Sequence, residues 1–210
     1  MNTISRIFLT GLFAAAIIAL PLAAQADEDP HAKHRAMMKQ KAQPAESVDI
    51  DLRDQMLMTQ HGEDVMFVSD VIGDNIVVMD FVYTTCTTIC PVLSALFSQV
   101  QTKLGDDVGD EIWLVSMSVD PIRDTPQRMK AYSAKHRAGD GWLWLTGPKP
   151  AVDDVLTGLG AYTTSFEDHP SMVLIGDGRT GEWRRLFGFP NPDRIVQIVD
   201  ELREKRQAGG

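Results

Sequence analysis

Cysteine is almost absent from this chain. Of 210 residues only Cys86 and Cys90 carry a thiol, too few for the disulfide framework on which small secreted domains rely. A bridge between these two closes so short a loop that chain entropy assigns it only about 2 kcal/mol, so stability is a poor reason for the pair. Basic residues are also scarce, 20 Lys and Arg against 29 Asp and Glu, for a net charge of −9. That balance excludes a phosphate-binding surface and with it nucleic acid as a partner. Long apolar runs are missing beyond the first 22 residues, and no internal repeat is visible. What remains, 44% hydrophobic and 23% charged, is the composition of an ordinary globular domain.

The one apolar run, residues 7–22, follows Arg6 and is broken by Gly11 and Pro21. It is shorter than the roughly 20 residues of a bilayer span, and Ala24-Gln25-Ala26 puts small residues at the two positions a signal peptidase inspects. Cleavage after Ala26 is expected; a membrane anchor through residues 7–22 is the competing reading. Removing 26 residues from 210 leaves 184, with 19 basic and 29 acidic residues and a net charge of −10. The product is expected to be exported to the periplasm, an oxidising compartment. Residues 27–46 are polar, contain Pro30 and Pro44 and lack apolar periodicity, which reads as a flexible leader. One domain then spans residues 47–206, with a disordered tail at 207–210. Within the leader, His31, His34, Met37 and Met38 offer apt copper ligands, though so short a cluster is more often incidental.

The domain alternates strand and helix signals. Val48, Ile50 and Leu52 alternate as in a half-buried strand, and Met56 to Gln60 and Val65 to Val68 flank His61-Gly62-Glu63-Asp64 as a hairpin. Asn75 to Tyr83 reads as a buried central strand. Leu93, Leu96, Phe97, Val100 and Leu104 mark one helical face from Pro91, ended by Gly105. A strand at Glu111 to Val119 follows, then a helix capped by Thr125-Pro126 and running to about His136. Trp142 to Leu145 predicts a strand, Val152 to Leu159 a short helix, and Ser171 to Ile175 with Trp183 to Phe187 a hairpin. Asn191-Pro192 opens a last amphipathic helix. This order implies one layered α/β domain with a mixed central sheet flanked by helices and an N-terminal hairpin extension.

Cys86-Thr-Thr-Ile-Cys90-Pro91 stands between the carboxyl end of the central strand and the start of a helix, the edge where open α/β sheets hold their sites. Helix N-terminal amides favour a thiolate there. Residues four apart in regular helix have β-carbons about 5 to 6 Å apart, too far for a disulfide, so Cys86 must lie in a turn before the helix. Two soft thiolates suit Cu(I), zinc or redox exchange, and a third ligand would decide among them. His61, at a hairpin tip, and His136, near a helix end, read as solvated surface residues. His169 differs. It stands in Asp168-His169-Pro170 before a buried strand, as in the loop that faces the cysteine pair of thioredoxin-like folds; pairing with Asp168 is the plainer alternative. Asp120, Arg123 and Asp124 lie on the same edge and read as turn and cap residues. Tyr83 stands where the peroxidatic cysteine of a peroxiredoxin would need Thr. Ser94 stands where a dinuclear copper electron carrier would need His.

The segments Phe81-Val-Tyr-Thr-Thr-Cys86-Thr-Thr-Ile-Cys90-Pro91, Val119-Asp-Pro-Ile-Arg123-Asp124-Thr125-Pro126, Gly141-Trp-Leu-Trp-Leu-Thr146-Gly147 and Asp168-His169 resemble, in this order, the Sco/SenC family over residues 47–205. The resemblance implies a thioredoxin-like fold and copper, as Cu(I) or Cu(II), held by Cys86, Cys90 and His169. It implies a cis bond before Pro170, as at the matching proline of such folds. It implies a metallochaperone, not an enzyme, that assists assembly of the dinuclear copper centre of cytochrome c oxidase. The copper-site subunit of the oxidase would then be the partner, with other periplasmic copper carriers as further candidates. A thiol-disulfide oxidoreductase that uses Cys86 and Cys90 to reduce that subunit is the alternative. Members of this family are often anchored by an N-terminal helix, from which the apparent cleavage site here departs.

Overall fold

A computed structural model describes residues 44–209. The signal segment, the apolar run 7–22 and the cluster His31, His34, Met37 and Met38 lie outside the described residues. Among those described, no helix is long and apolar enough to cross a membrane.

The fold is organised by β4 (Ile76–Val82), whose seven residues are all buried. Its β-branched and aromatic side chains suit a pleated strand covered on both faces. It pairs in parallel with β5 (Ile112–Ser118) and antiparallel with β7 (Met172–Asp177). β6 (Trp142–Leu145) adds in parallel to β5, β8 (Glu182–Phe187) antiparallel to β7, and β1 (Glu46–Val48) antiparallel to β8. The sheet order is β1-β8-β7-β4-β5-β6, a mixed sheet as expected, and β2 (Met56–Met58) with β3 (Asp64–Met66) forms the separate N-terminal hairpin.

Each face of the sheet carries its own core. On one, Ile76, Val78 and Val82 meet Phe97 and Val100 of α1 (Cys90–Leu104), Met129 and Tyr132 of α2 (Pro126–Lys135), and Ile195, Ile198 and Leu202 of α4 (Pro192–Gly209). On the other, Val77, Met79 and Phe81 meet Val152, Val155 and Leu156 of α3 (Lys149–Gly158), with Leu57 and Phe67 from the hairpin region. At the β6 edge the Gln60 side chain donates to the Trp142 carbonyl at 3.1 Å and accepts from the Trp144 N–H at 2.8 Å, closing the edge to further pairing. Gly176 is required by its neighbour: a Cβ there would stand 2.2 Å from the Trp183 ring.

Caps fall where the sequence signals put them. Thr125 accepts from the Arg128 N–H at 3.4 Å, and Asn191 Oδ1 from the Asp193 N–H at 2.9 Å. Four features differ from the sequence expectation, the first being that the strand expected through Val48, Ile50 and Leu52 ends at Val48, with no strand over 49–52. Residues Phe67–Ile72 form a π-helical turn instead of extending the hairpin strand, because Asp54 Oδ1 accepts from the N–H groups of Val68 and Ser69, at 2.7 and 3.2 Å, and curls the chain. α4 continues to Gly209, through residues read as a tail. The bond before Pro170 is trans, not cis. His169 there is extended (φ −62, ψ 137), a conformation that residues before proline favour and that carries the chain straight toward β7.

Candidate metal centre

The two thiols are brought together by the end of one element and the start of another. β4 stops at Val82, the Cys86 N–H donates to the Tyr83 carbonyl at 3.0 Å to close a turn, and α1 begins at Cys90 with Pro91 in its first turn. Cys86 therefore lies off the helix, as its spacing required. Both cysteines are free thiols, Cys86 7% exposed and Cys90 fully buried. The N–H of Cys90, one of the orphan donors of a helix start, points at Cys86 Sγ at 3.3 Å.

The surroundings split the pair electrostatically. Burial opposes ionisation of Cys86. Hydrogen bonds from the Cys90 thiol, from the backbone of Cys90 and Thr88 and from the Tyr83 hydroxyl outweigh it, and its pKa falls to about 7. Burial pushes the Cys90 thiol up instead, helped by its role as donor to Cys86 and by the charge of Asp80. Tyr83, half-buried and donating to Cys86, is pushed up to about 12, chiefly by desolvation. Cys86 is thus the readier thiolate and Cys90 the guarded thiol.

His169 stands at the C-terminal end of a 3-10 turn, Phe166–Asp168, and is half-buried. Its ring packs edge-on against Tyr83 at 5.8 Å, and Tyr83 packs against Phe166 at 5.1 Å, so Tyr83 links the histidine to the cysteine turn. Nδ1 is buried with no hydrogen-bond partner, an orphan nitrogen of the kind a metal ion satisfies in the neutral imidazole. Burial lowers the His169 pKa, which favours the neutral, ligating imidazole. Among the described residues no three His, Cys, Asp or Glu side chains are already gathered around one point. The donor chemistry nevertheless fits copper, with two sulfurs from one turn and a half-buried imidazole one aromatic ring away.

The residues read as turn and cap chemistry hold this turn in place. Asp124, 1% exposed, accepts from the Thr84 N–H at 3.0 Å, from Thr84 Oγ1 at 2.5 Å and from Ser118 Oγ at 2.7 Å. It ties the β5 end to the residues just before Cys86. Asp120 pairs with Arg123 at 2.9 Å, and the Arg123 guanidinium lies 5.2 Å over the Phe166 ring. His61 is exposed. His136 is not a surface residue as expected: it is half-buried, stacked on Trp144 at 6.4 Å and 17°, because the helix end on which it sits packs over the Trp142-Leu-Trp144 strand.

Sequence reasoning missed a buried polar cluster beneath Cys90. Asp80, Ser116 and Trp144 are in register across β4, β5 and β6 and so share a face. Ser116 donates to Asp80 at 2.6 Å and accepts from Trp142 Nε1 at 2.9 Å. Asp80 Oδ2, Ser94 Oγ, Tyr132 Oη and Trp144 Nε1 are buried without partners. Burial raises Asp80 to about 7 even against the Ser116 hydrogen bond. The available signal was one carboxylate in an otherwise apolar strand, six residues before Cys86.

A family model described as SCO1/SenC matches residues 44–202. The SCO1 protein homolog of Bacillus subtilis is 39% identical over 69 residues, which cover 32% of this chain and 35% of that protein; the match thus spans about a third of that relative's length. A solved structure of BsSco, described as a member of the Sco family of cytochrome c oxidase assembly proteins with a disulfide switch, aligns with a TM-score of 0.62 at 25% identity, covering 74% of this chain and 95% of that one. The ScoI structure of Bradyrhizobium japonicum with copper bound aligns with a TM-score of 0.59 at 25% identity, covering 71% and 97%.

Proposed function

The chain belongs to the SCO1/SenC family, and from that premise we propose that it is a copper metallochaperone, exported to the periplasm by a cleaved signal, that loads the dinuclear copper centre of cytochrome c oxidase. Cys86 and Cys90 hold Cu(I) as thiolates, and His169 completes the ligand set and supports Cu(II). The observation that carries this reading is the unpartnered, buried Nδ1 of His169, whose ring packs on the Tyr83 that adjoins the turn of the two free thiols. A dithiol exchanger has no use for such an imidazole. Likeness to a copper-bound ScoI supports the choice of metal.

Each group has a task. Cys86, already close to ionised at neutral pH, captures the ion. Cys90 must lose its proton as the second bond forms, so loading releases protons and strengthens as pH rises. Delivery is ligand exchange, with partner ligands displacing the sulfurs in turn. No substrate is turned over.

A second reading draws on the same asymmetry. A readily ionised thiol beside a fully buried, un-ionised one is the arrangement of a dithiol reductant. Cys86 would attack a disulfide of the copper-site subunit to form a mixed disulfide, releasing one partner sulfur as thiolate. Cys90, deprotonated, would then attack Cys86 Sγ, leaving the partner with both thiols and this chain with a Cys86–Cys90 disulfide. A Cu(I) titration of the reduced protein against a competing chelator decides. One tight equivalent that is lost in Cys86→Ala is expected for the chaperone, and no cysteine-dependent equivalent eliminates it.

A further inference from the structure

A two-stranded hairpin that lays one face on a core normally turns polar side chains outward. The β2–β3 hairpin does not. Its inner positions are Leu57, fully buried, and Val65, packed on the α3-side core. Its outer positions are Met56, Met58, Asp64 and Met66, by strict alternation along each strand. Met56 is 56% exposed and Met58 and Met66 are half-buried. None of the three belongs to either core cluster. Packing therefore does not explain why three outward positions carry thioethers.

Register brings them together. Met56 is directly opposite Met66, and Met58 is opposite Asp64 and diagonal to Met66. Directly opposed β-carbons lie about 5 Å apart and diagonal ones about 7 to 8 Å, so one point lies within about 4 to 5 Å of all three. Methionine sulfur, two bonds beyond Cβ on an unbranched and flexible stem, reaches such a point. The hairpin also lies on the edge that matters. β2 runs antiparallel to β6, with Met58 and Thr146 exchanging hydrogen bonds of 2.7 and 2.9 Å. Met56 therefore lies beyond the carboxyl end of β6, on the same sheet edge as the cysteine turn that follows β4, about 14 Å away laterally by three strand spacings.

We propose that Met56, Met58 and Met66 form a second, thioether site for Cu(I). Soft, neutral thioethers select the monovalent ion over Zn(II) or Mg(II). Without thiolate charge the site holds Cu(I) more weakly than Cys86 and Cys90. An ion captured on the hairpin is thus passed downhill to the cysteine pair along one edge of the sheet. The site stands independently of the role given to His169.

The test uses the exported chain with Cys86 and Cys90 both changed to Ser, titrated with Cu(I) against a chromogenic chelator. One residual equivalent is expected, at least 10-fold weaker than the wild-type thiol site. It should disappear when Met56→Leu, Met58→Leu and Met66→Leu are added, since leucine keeps volume and removes sulfur. No residual equivalent, or one that survives the three leucines, overturns the proposal; the second result would assign the ion elsewhere, the 31–38 segment included. Methyl NMR of methionine-labelled wild-type protein gives a reading that needs no variant. Ag(I) added beyond one equivalent should shift the methyl signals of Met56, Met58 and Met66 together, and unmoved signals overturn the proposal.

Discussion

The backbone N–H of Cys90 donates to Cys86 Sγ across 3.3 Å, so the first free amide of α1 is capped by the sulfur four residues before it. A helix start and a thiolate satisfy each other there: the orphan donor gains an acceptor, and negative charge on sulfur gains a donor.

The two thiols should consequently titrate far apart. Alkylation of the reduced protein is expected to follow a single ionisation near pH 7 at Cys86, with Cys90 unreactive until the chain unfolds. Cys90→Ala removes the thiol donor and keeps the backbone N–H, so the Cys86 ionisation should rise above 7 yet stay below its ordinary 9.0. Mass-resolved alkylation rates between pH 5 and pH 10 check both statements. Equal reactivity of the two cysteines would refute the split.

Asp124 is expected to position the cysteine turn. Its carboxylate takes three hydrogen bonds, two from Thr84 and one from Ser118. Asp124→Ala leaves the buried Ser118 hydroxyl and the half-buried Thr84 donors without an acceptor and should cost about 2 to 4 kcal/mol in denaturant unfolding. Asp124→Asn keeps an acceptor oxygen and should recover most of that loss. If the residue also fixes the turn, Asp124→Ala weakens Cu(I) binding under folded conditions, and Asn restores it. Unchanged affinity in the alanine variant would reduce Asp124 to a stability role.

Asp80 should make stability fall as pH rises. Its folded pKa is about 7, raised by burial from 3.8, so between these values the native state holds a proton that the unfolded chain has released. Stability from this group is complete below about pH 4, and each pH unit toward 7 removes up to about 1.4 kcal/mol. Denaturant midpoints of wild type and Asp80→Asn across pH 4 to 8 test this. The asparagine variant should show the flatter profile, and identical slopes would disprove the assignment.

Much of this was legible in the sequence because local rules and tertiary demands agree. The apolar run around Asp80 could only be a central strand, Thr125-Pro126 could only start a helix, and the spacing of Cys86 and Cys90 required a turn before α1. The misses arise where distant groups decide. Asp54 curls Phe67–Ile72 from fourteen residues away, and no periodicity announces it. His136 is drawn onto Trp144 by helix packing. Tyr83 was read only for what it excludes, since its contacts with Cys86 and His169 depend on a loop more than 80 residues later.

His169→Ala separates the two functions most directly. Its imidazole matters to a copper site, whereas dithiol exchange depends on two sulfurs and their ionisation. Nδ1 is buried without a hydrogen-bond partner, so truncation breaks no bond at that atom and should leave the fold intact. The Cys86–Cys90 pair should still cycle between dithiol and disulfide. Under the chaperone reading Cu(II) binding collapses, Cu(I) is held more weakly by the two thiolates alone, and oxidase activity in cells falls most at limiting copper. Under the reductase reading the variant restores oxidase activity nearly as well as wild type at any copper level. Cys86→Ala and Cys90→Ala should fail under both, which controls for expression of the pathway. Oxidase activity with the three variants, with and without added copper, is therefore the deciding measurement. Full rescue by His169→Ala at limiting copper would sink the chaperone assignment and leave Cys86 and Cys90 as a reductant pair.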